Sequence, residues 1–321
     1  MAPKRDAGMD HEHYPWSPII TRRPLAWPNG ARLAVCVIIN LECLDWIPPE
    51  GSYQAPLLYT HLAPIQRPLP ELWTMAIREY GHRVGIFRLM NLLGRHGIRP
   101  MVSMDALTAS RYPYLVRYCL DRGCEIIAHG LGVSRMITSR MSETEERRYI
   151  AETLDVLEGA TGSRPQGWHG PEYGESERTP QLLAELGVRY VCDWANDEQP
   201  YRMTTASGEL YALPIMIELD DVFALRDRRY RVDEYVRQIV DAVDVMRGDA
   251  IANGRVFVLN LHAWMSGQPF RVRFLTEAIA RIMSHADVWT ASGSEIIDSY
   301  RKQMGTHRAR GGQSVAASGA R

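Results

Sequence analysis

The stretch that decides the fold of this chain is Val256-Phe257-Val258-Leu259-Asn260-Leu261-His262, an apolar run that ends in a histidine. A turn-like segment, residues 263–269, follows it directly. The run predicts a buried strand, and its last side chain is an imidazole that titrates near neutral pH. At the carboxyl end of a strand in a parallel barrel, such a side chain lies where a substrate can reach it.

Two earlier apolar runs have the same form. Residues 34–41 lead into Glu42, and residues 125–128 lead into His129. Strand-like runs alternate with helical patterns along the chain, about seven or eight times and without a break in composition. This alternation predicts an α/β fold, a closed or nearly closed (β/α) barrel with one active site at the carboxyl ends of its strands. An open doubly wound sheet is the alternative, but residues 42–46 after the first strand do not form its Gly-rich phosphate loop.

Size and charge limit the partners of the chain. Its 321 residues, 45% of them hydrophobic, suit one large domain, and the net charge of −1 argues against binding to nucleic acid or to an anionic membrane. No apolar stretch approaches the roughly 20 residues that span a bilayer. The start of the chain is too polar for a signal peptide, and five cysteines without close pairing suit a reducing compartment. We therefore expect a cytoplasmic protein.

Three segments differ in composition. We expect residues 1–28, rich in proline and charge, to form an N-terminal arm that lies over the domain or reaches a partner subunit. Residues 29–303 are expected to form the catalytic barrel. Residues 304–321, rich in Gly, Ser, Ala and Arg, predict a disordered tail.

The two strand ends offer the first candidate site residues. Glu42 closes a buried strand, where a carboxylate is costly unless it is paired or functional; a helix N-cap or a salt bridge to an arginine is the alternative. His129 precedes Gly130, which allows the backbone to approach a ligand closely. A hydrogen-bonded core histidine is the alternative there.

Two loops add further candidates. Residues 163–171 combine a cation, an indole and an imidazole between prolines and glycines, at Arg164, Trp168 and His169. Residues 193–201 form a polar loop in which the first six positions hold three carboxylates and an amide, and a solvated acidic loop is the alternative there. The candidates in that loop are Asp193, Asn196 and Asp197.

Five short segments, in their order along the chain, resemble the polysaccharide deacetylase superfamily, and within it the allantoinase-like and cyclic-imide-hydrolase-like branch. They are residues 79–85 (Glu-Tyr-Gly-His-Arg-Val-Gly), His129-Gly130, residues 164–168, residues 196–201 and Leu261-His262. The resemblance runs from about residue 29 to residue 300. It implies a distorted (β/α) barrel of seven or eight strands and a hydrolase that acts on carbon–nitrogen bonds other than peptide bonds.

The chain departs from the metal site of that superfamily. Metal-dependent members carry Thr-Phe-Asp-Asp-Gly, in which the first Asp is the base and the second a metal ligand; here Glu42 and Cys43 take these positions. Of the family's two metal histidines, four residues apart, His129 matches the first, but position 133 is valine. These residues fall short of the three ligands that a catalytic zinc needs, so we expect no cofactor. A rebuilt zinc site of Cys43, His129 and His169 is the alternative.

Roles follow in part from the resemblance. The candidate base is Glu42; by resemblance, Arg164 orients it and His262 protonates the leaving nitrogen. His129 is free to hold the water or to donate to the developing oxyanion. The side chains expected to line the pocket around a planar substrate are Trp168, His169, Asp193, Asn196, Asp197 and Trp264.

We therefore expect a metal-independent hydrolase that cleaves an amide, or opens a cyclic imide or ureide ring, in a small-molecule substrate. A zinc-dependent N-deacetylase of an amino sugar or polysaccharide is one alternative. A catalytically inactive protein that binds a small molecule is the other. Because allantoinase-like relatives tend to assemble, the resemblance also implies a homo-oligomer.

Overall fold

The computed structural model of this protein describes residues 11–50 and 70–311, with side chains up to residue 304. The strands of the described part are β1 Leu33–Leu41, β2 Met101–Met104, β3 Glu125–Ala128, β4 Gly167–Trp168, β5 Tyr190–Val191, β6 Tyr201–Arg202, β7 Tyr211–Ala212, β8 Arg255–His262 and β9 Val288–Thr290. The helices are α1 Leu72–Tyr80, α2 Ile86–Arg95, α3 Ala106–Arg111, α4 Pro113–Leu120, α5 Glu143–Thr161, α6 Thr179–Glu185, α7 Val232–Asp249, α8 Ala263–Ser266, α9 Pro269–Met283 and α10 Gly293–Gly311.

The strands form one mostly parallel sheet. Their order is β6-β7-β5-β4-β3-β2-β1-β8, and β6 pairs antiparallel with β7. Strand β9 pairs with Leu33–Val35 of β1, whereas β2 pairs with the later residues Ile38–Leu41. No pairing joins β6 to β8 among the described residues, so the barrel is open on that side. The prediction of a distorted (β/α) barrel is confirmed.

Strand β1 shows why the apolar run forms the centre of this sheet. All nine of its residues are buried, and successive side chains point to opposite faces, as in any strand. Leu33, Val35 and Ile39 pack in the cluster that faces the helices, while Ala34 and Cys36 pack in the cluster inside the barrel. Burying one such aliphatic side chain contributes about 1.5–3 kcal/mol, so both faces hold the strand in register.

Helices α5 and α2 show how local sequence forms these elements. Ser142 caps α5 through a capping box with Glu145, as its spacing predicts, and the helix ends at Gly162, whose φ of 80° suits glycine. The helical face at Ile86, Leu89 and Leu93 is buried in α2. Residues 210–219 also form a largely apolar run, but within it only Tyr211–Ala212 pair with a neighbouring strand.

A π-helical turn, Gly81–Gly85, joins α1 to α2 and packs backbone against backbone on α8. A Cβ atom on Gly81 would lie 2.8 Å from the amide nitrogen of Trp264, and one on Gly85 would overlap the carbonyl oxygen of Ala263. Glycine is therefore required at both positions. This close approach brings α1 and α8 to the carboxyl end of β1.

The structure describes part of each terminal segment. Residues 11–28 of the arm lie on the domain: the Leu25 amide donates to Asn253 at 2.7 Å, and Trp27 Nε1 donates to the Arg255 carbonyl at 2.7 Å. Helix α10 continues to Gly311, beyond the start of the tail expected at residue 304, and the rest of that tail lies outside the described residues. Among the described helices, none has the length and apolar character to cross a bilayer.

Candidate active site

Glu42 lies immediately after β1, with its side chain 4% exposed. Arg78 of α1 forms an ion pair with its Oε2 atom, and Trp264 Nε1 donates to the same oxygen at 3.3 Å. The guanidinium also stacks 4.7 Å from the centre of the Trp264 ring. Burial lowers the pKa of Arg78 to about 10, which still leaves it charged at neutral pH. The pair therefore supports a charged carboxylate in a buried place.

His262 ends β8 and faces the other oxygen of that carboxylate. Its Nε2 atom lies 3.6 Å from Glu42 Oε1, and its Nδ1 atom lies 2.7 Å from Asp221 Oδ1. The backbone amide of His262 donates to Asp221 Oδ2 at 2.9 Å, so the two residues are joined twice. Burial alone would lower the pKa of His262, but the charges of Asp221 and Asp220 outweigh it and raise the pKa. The imidazole therefore has an Nε2–H available for donation near neutral pH.

His129, which follows β3, is a hydrogen-bond acceptor at Nε2, whereas His262 is a donor there. Its Nδ1 atom lies 2.5 Å from the carbonyl oxygen of His169, and because a carbonyl only accepts, Nδ1 carries the proton. Burial lowers the pKa of His129, so the ring is neutral and Nε2 has a lone pair. That Nε2 atom lies 3.4 Å from Glu42 Oε1 and has no hydrogen-bond partner among the described residues. It can accept a proton from a water but cannot donate to an oxyanion.

A cavity of about 20 Å³ lies beside these groups, room for about one water molecule. Asp220 Oδ2 accepts hydrogen bonds from the Tyr173 hydroxyl and from Asn260 Nδ2, each at 2.7 Å. The Ser103 hydroxyl lies 3.1 Å from Nδ1 of His169. The cavity is lined by Glu42, Arg78, His129, His169, Glu172, Tyr173, Asp220, Val222, Phe223, Arg226, Asn260 and His262.

Arg164 lies away from this site, so the predicted contact with Glu42 is wrong. Its guanidinium pairs with Asp155 at 2.9 Å and with Glu158 at 2.8 Å, both on α5. The reason is its position in the chain: Arg164 precedes β4, whereas the site lies beyond the carboxyl ends of the strands. The cation that binds Glu42 is Arg78, which comes from a helix.

Two pocket residues of the acidic loop are also placed elsewhere. Asp197 forms a salt bridge of 2.5 Å with Arg22 of the arm, and Asn196 bonds the hydroxyl of Tyr14 at 2.7 Å. Both line a separate cavity beneath the arm. The expectation that they line the active site is wrong, because the arm supplies their partners.

Trp168 is a core residue rather than a pocket wall. It is fully buried in the cluster that faces the helices. Its neighbour Gly167 faces the barrel interior, where a Cβ atom would overlap the ring of Tyr190. Because side chains alternate along a strand, Trp168 must point outward. The prediction that it stacks on substrate is wrong.

The remaining pocket predictions fare differently. His169 lines the cavity, and Trp264 contacts the catalytic candidate Glu42 directly. Asp193 lies behind the cavity, where both of its oxygens accept the amide of Gly170 at 2.8 and 3.0 Å. Burial raises the pKa of Asp193 to about 7. It supports the loop that carries His169 rather than lining the cavity.

Comparison with known proteins agrees with this architecture. The sequence profile described as "Polysaccharide deacetylase" matches residues 79–191. A protein named "Putative polysaccharide deacetylase" from Schizosaccharomyces pombe (strain 972) is 23% identical over 296 residues, covering 85% of this chain and 92% of the relative. The crystal structure of Puue allantoinase superposes with a TM-score of 0.80 at 25% identity, over 90% of this chain and 98% of the other. A probable polysaccharide deacetylase from Pseudomonas aeruginosa PAO1 gives 0.79 at 25% identity, over 86% and 93%.

Residues 79–191 thus resemble the polysaccharide deacetylase superfamily, and the fold of the chain is shared with solved structures that carry that name. Among its solved relatives, the allantoinase structure supports the allantoinase-like branch that the sequence indicates. This polysaccharide deacetylase-like protein is accordingly a hydrolase that acts on carbon–nitrogen bonds.

The superfamily implies a catalytic metal, but the donor groups of this deacetylase-like chain do not fit one. Within the described residues, one group of three potential ligands converges, Asp220, Asp221 and His262, with ligand atoms within 4.8 Å of one another. Its oxygens already accept hydrogen bonds from Tyr173, Asn260 and His262 itself. Hydrogen bonds thus occupy ligand atoms on all three residues in this structure, which is not the arrangement of a three-ligand metal site with an open position.

The alternative zinc ligand Cys43 is also unsuitable. Burial raises the pKa of its thiol to about 11, whereas zinc binds the thiolate. Its Sγ atom lies 3.2 Å from a nitrogen of Arg111, and its backbone amide donates to Asp105 at 2.6 Å. Cys43, His129 and His169 do not converge into a three-ligand group within the described part of the chain.

Sequence reasoning missed Arg78, Asp220, Asp221 and Glu172. The aspartates follow the run at residues 210–219, so the argument that found Glu42 and His262 applies to them as well. Arg78 lies on an amphipathic helix and gives no such signal.

Proposed function

We propose that this protein hydrolyses a carbon–nitrogen bond of a small molecule, an amide or a cyclic imide or ureide, by acid–base catalysis without a metal. The observation that carries the proposal is the 3.6 Å separation between Oε1 of Glu42 and Nε2 of His262. One group is a carboxylate that forms an ion pair with Arg78, and the other is an imidazole whose pKa is raised. A base and an acid side by side are what hydrolysis of an amide requires.

The groups around the small cavity suggest the order of proton transfers. A water in the small cavity can donate one hydrogen to Nε2 of His129 and the other to Oε1 of Glu42. Glu42 takes the proton as the water oxygen forms a bond to the substrate carbonyl carbon. His262 then gives its Nε2 proton to the leaving nitrogen as the carbon–nitrogen bond breaks. Passage of the proton from Glu42 to His262 across 3.6 Å restores the starting state.

A cyclic imide or ureide suits such a site. Its leaving nitrogen is stabilised by a second carbonyl, so the demand on the acid is smaller than for a plain amide. The alternative of deacetylating an amino sugar rests on the names of the fungal and bacterial relatives.

A hydrolysis screen tests the proposal. The panel contains cyclic ureides, imides, lactams, simple N-acyl compounds and N-acetylglucosamine oligomers. We expect turnover of a cyclic ureide or imide, and a loss of about a hundredfold or more in Glu42→Gln and in His262→Ala. Glu79→Gln, next to Arg78 but exposed, is the matched control and should retain full activity. Turnover of the sugar oligomers alone would overturn the small-molecule assignment.

A further inference from the structure

We infer that Glu172 determines substrate specificity by accepting hydrogen bonds from N–H groups of a neutral substrate. The inference rests on the proposed function and names the chemistry that the site selects. Glu172 follows β4 in the loop Gly170–Gly174 and lines the same cavity as Glu42 and His262.

The backbone of this loop is strained in a way that places the side chain. Glu172 has φ 52° and ψ 28°, and the next residue, Tyr173, has φ 57°. Two successive non-glycine residues in the left-handed region are uncommon, and such strain clusters at ligand sites. The loop is held by the Gly170 amide on Asp193 and by the Tyr173 hydroxyl on Asp220.

Glu172 differs from the other polar side chains around the cavity in its contacts with the described residues. Glu42 is bound by Arg78, His262 by Asp221, and Asp220 by Tyr173. The half-buried carboxylate of Glu172 makes no hydrogen bond or ion pair with any residue that the structure describes. Its charge acts on the buried Arg78 and raises the pKa of that group against the larger effect of burial.

A carboxylate can only accept hydrogen bonds, so its missing partner must be a donor. The two guanidinium groups that line the cavity, those of Arg78 and Arg226, already offset much of the charge of its carboxylates. A neutral N–H group, as on the edge of a ureide or imide ring, gives Glu172 a donor without adding a further positive charge.

The test compares a ring that has N–H groups with one that lacks them. The kcat/KM for hydantoin is divided by that for 1,3-dimethylhydantoin in wild type, in Glu172→Gln and in the control Glu177→Gln. Glu177 is five residues along the chain and has a side chain that is 80% exposed. Intrinsic reactivity of the two rings cancels when the ratios are compared between variants.

We expect the ratio to fall by about tenfold or more in Glu172→Gln, mainly through KM, and to be unchanged in Glu177→Gln. An unchanged ratio in Glu172→Gln would overturn the inference and leave the proposed function standing.

If neither ring is hydrolysed, binding measurements test the role of Glu172 separately from the proposed function. Calorimetry measures the Kd for hydantoin with Glu42→Gln and with the double variant Glu42→Gln/Glu172→Gln. Binding that weakens about tenfold in the double variant supports the role of Glu172 even where turnover is absent and the proposed function fails. Equal binding by both proteins, or no binding by either, rejects the role.

Discussion

Arg78 binds the carboxylate of Glu42, although 36 residues separate them in the chain. Both side chains are buried, and they come from different parts of the fold, helix α1 and the end of β1. The partner of the catalytic carboxylate is thus supplied by the helix that the Gly81–Gly85 turn fixes against α8. The residue expected in this role, Arg164, pairs with α5 instead.

The first prediction compares these two arginines. Arg78→Ala should destabilise the fold by about 3–5 kcal/mol and abolish most activity, since it leaves Glu42 buried and unpaired. Arg164→Ala should cost about 0–1 kcal/mol and leave kcat/KM unchanged, because its ion pairs are partly exposed. Urea unfolding and steady-state kinetics measure both effects. Arg78→Lys retains the charge and should recover part of the activity if the alanine variant does not fold.

The second prediction concerns the pH dependence of His262. Asp221 and Asp220 raise the pKa of this histidine above its ordinary value of 6.5, against the opposing effects of burial and of the Arg78 charge. If His262 is the acid, kcat/KM falls as pH rises through that raised pKa. Asp221→Asn should move this alkaline limb to lower pH by about 1 unit or more.

The same linkage affects stability. The stabilisation from a His262 with a raised pKa is fully present below pH 6.5 and is lost as pH rises through the folded-state pKa. Asp221→Asn should therefore lose more stability at pH 5.5 than at pH 9. Asp241→Asn, exposed on α7, is the control. An alkaline limb at the same pH in Asp221→Asn would show that another group is the acid.

The third prediction concerns the glycine turn behind the site. Gly85→Ala should lower the free energy of unfolding by about 2 kcal/mol or more, because its Cβ would overlap the Ala263 carbonyl and push α8 from Glu42. Gly94→Ala, in α2, meets nothing within 4 Å and should be neutral or stabilising by up to about 1 kcal/mol. Equal stabilities in the two variants would contradict the backbone contact.

The fourth prediction concerns metal. Nδ1 of His262 and Oδ1 of Asp221 are hydrogen-bonded to each other and are therefore not available to a metal ion. Dialysis against EDTA should leave kcat unchanged, and added zinc should not raise it. Elemental analysis of protein purified without chelator measures occupancy directly. One zinc per chain, with activity that disappears on its removal and returns on its addition, would reject the metal-independent mechanism.

Much of the fold and the core of the site could be predicted from the sequence. The apolar runs predict β1, β3 and β8, and parallel pairing brings their carboxyl ends to one edge. Glu42, His129 and His262 each follow or end one of these strands, so their convergence follows from the pattern alone. Local periodicity suffices because every strand in a parallel sheet points the same way.

Strand β4 shows where this reasoning stops. Its two residues, Gly167 and Trp168, are fixed by pairing with β3 and β5 rather than by an apolar run. The sequence does not show at which residue β4 begins. It therefore could not show that Arg164 precedes the sheet or that Trp168 points toward the helices. A shift of one residue in that assignment reverses every side chain.

The sequence by itself determined the barrel, its resemblance to the superfamily and the three strand-end groups of the site. The tertiary structure alone decided the partners of these three groups: Arg78 for Glu42, Asp221 for His262 and the His169 carbonyl for His129. It also decided that Asp197 pairs with Arg22 of the arm. The physical reason is that periodicity is a local property of the chain. Charge pairing in a buried site depends on which distant segments fold over the same edge.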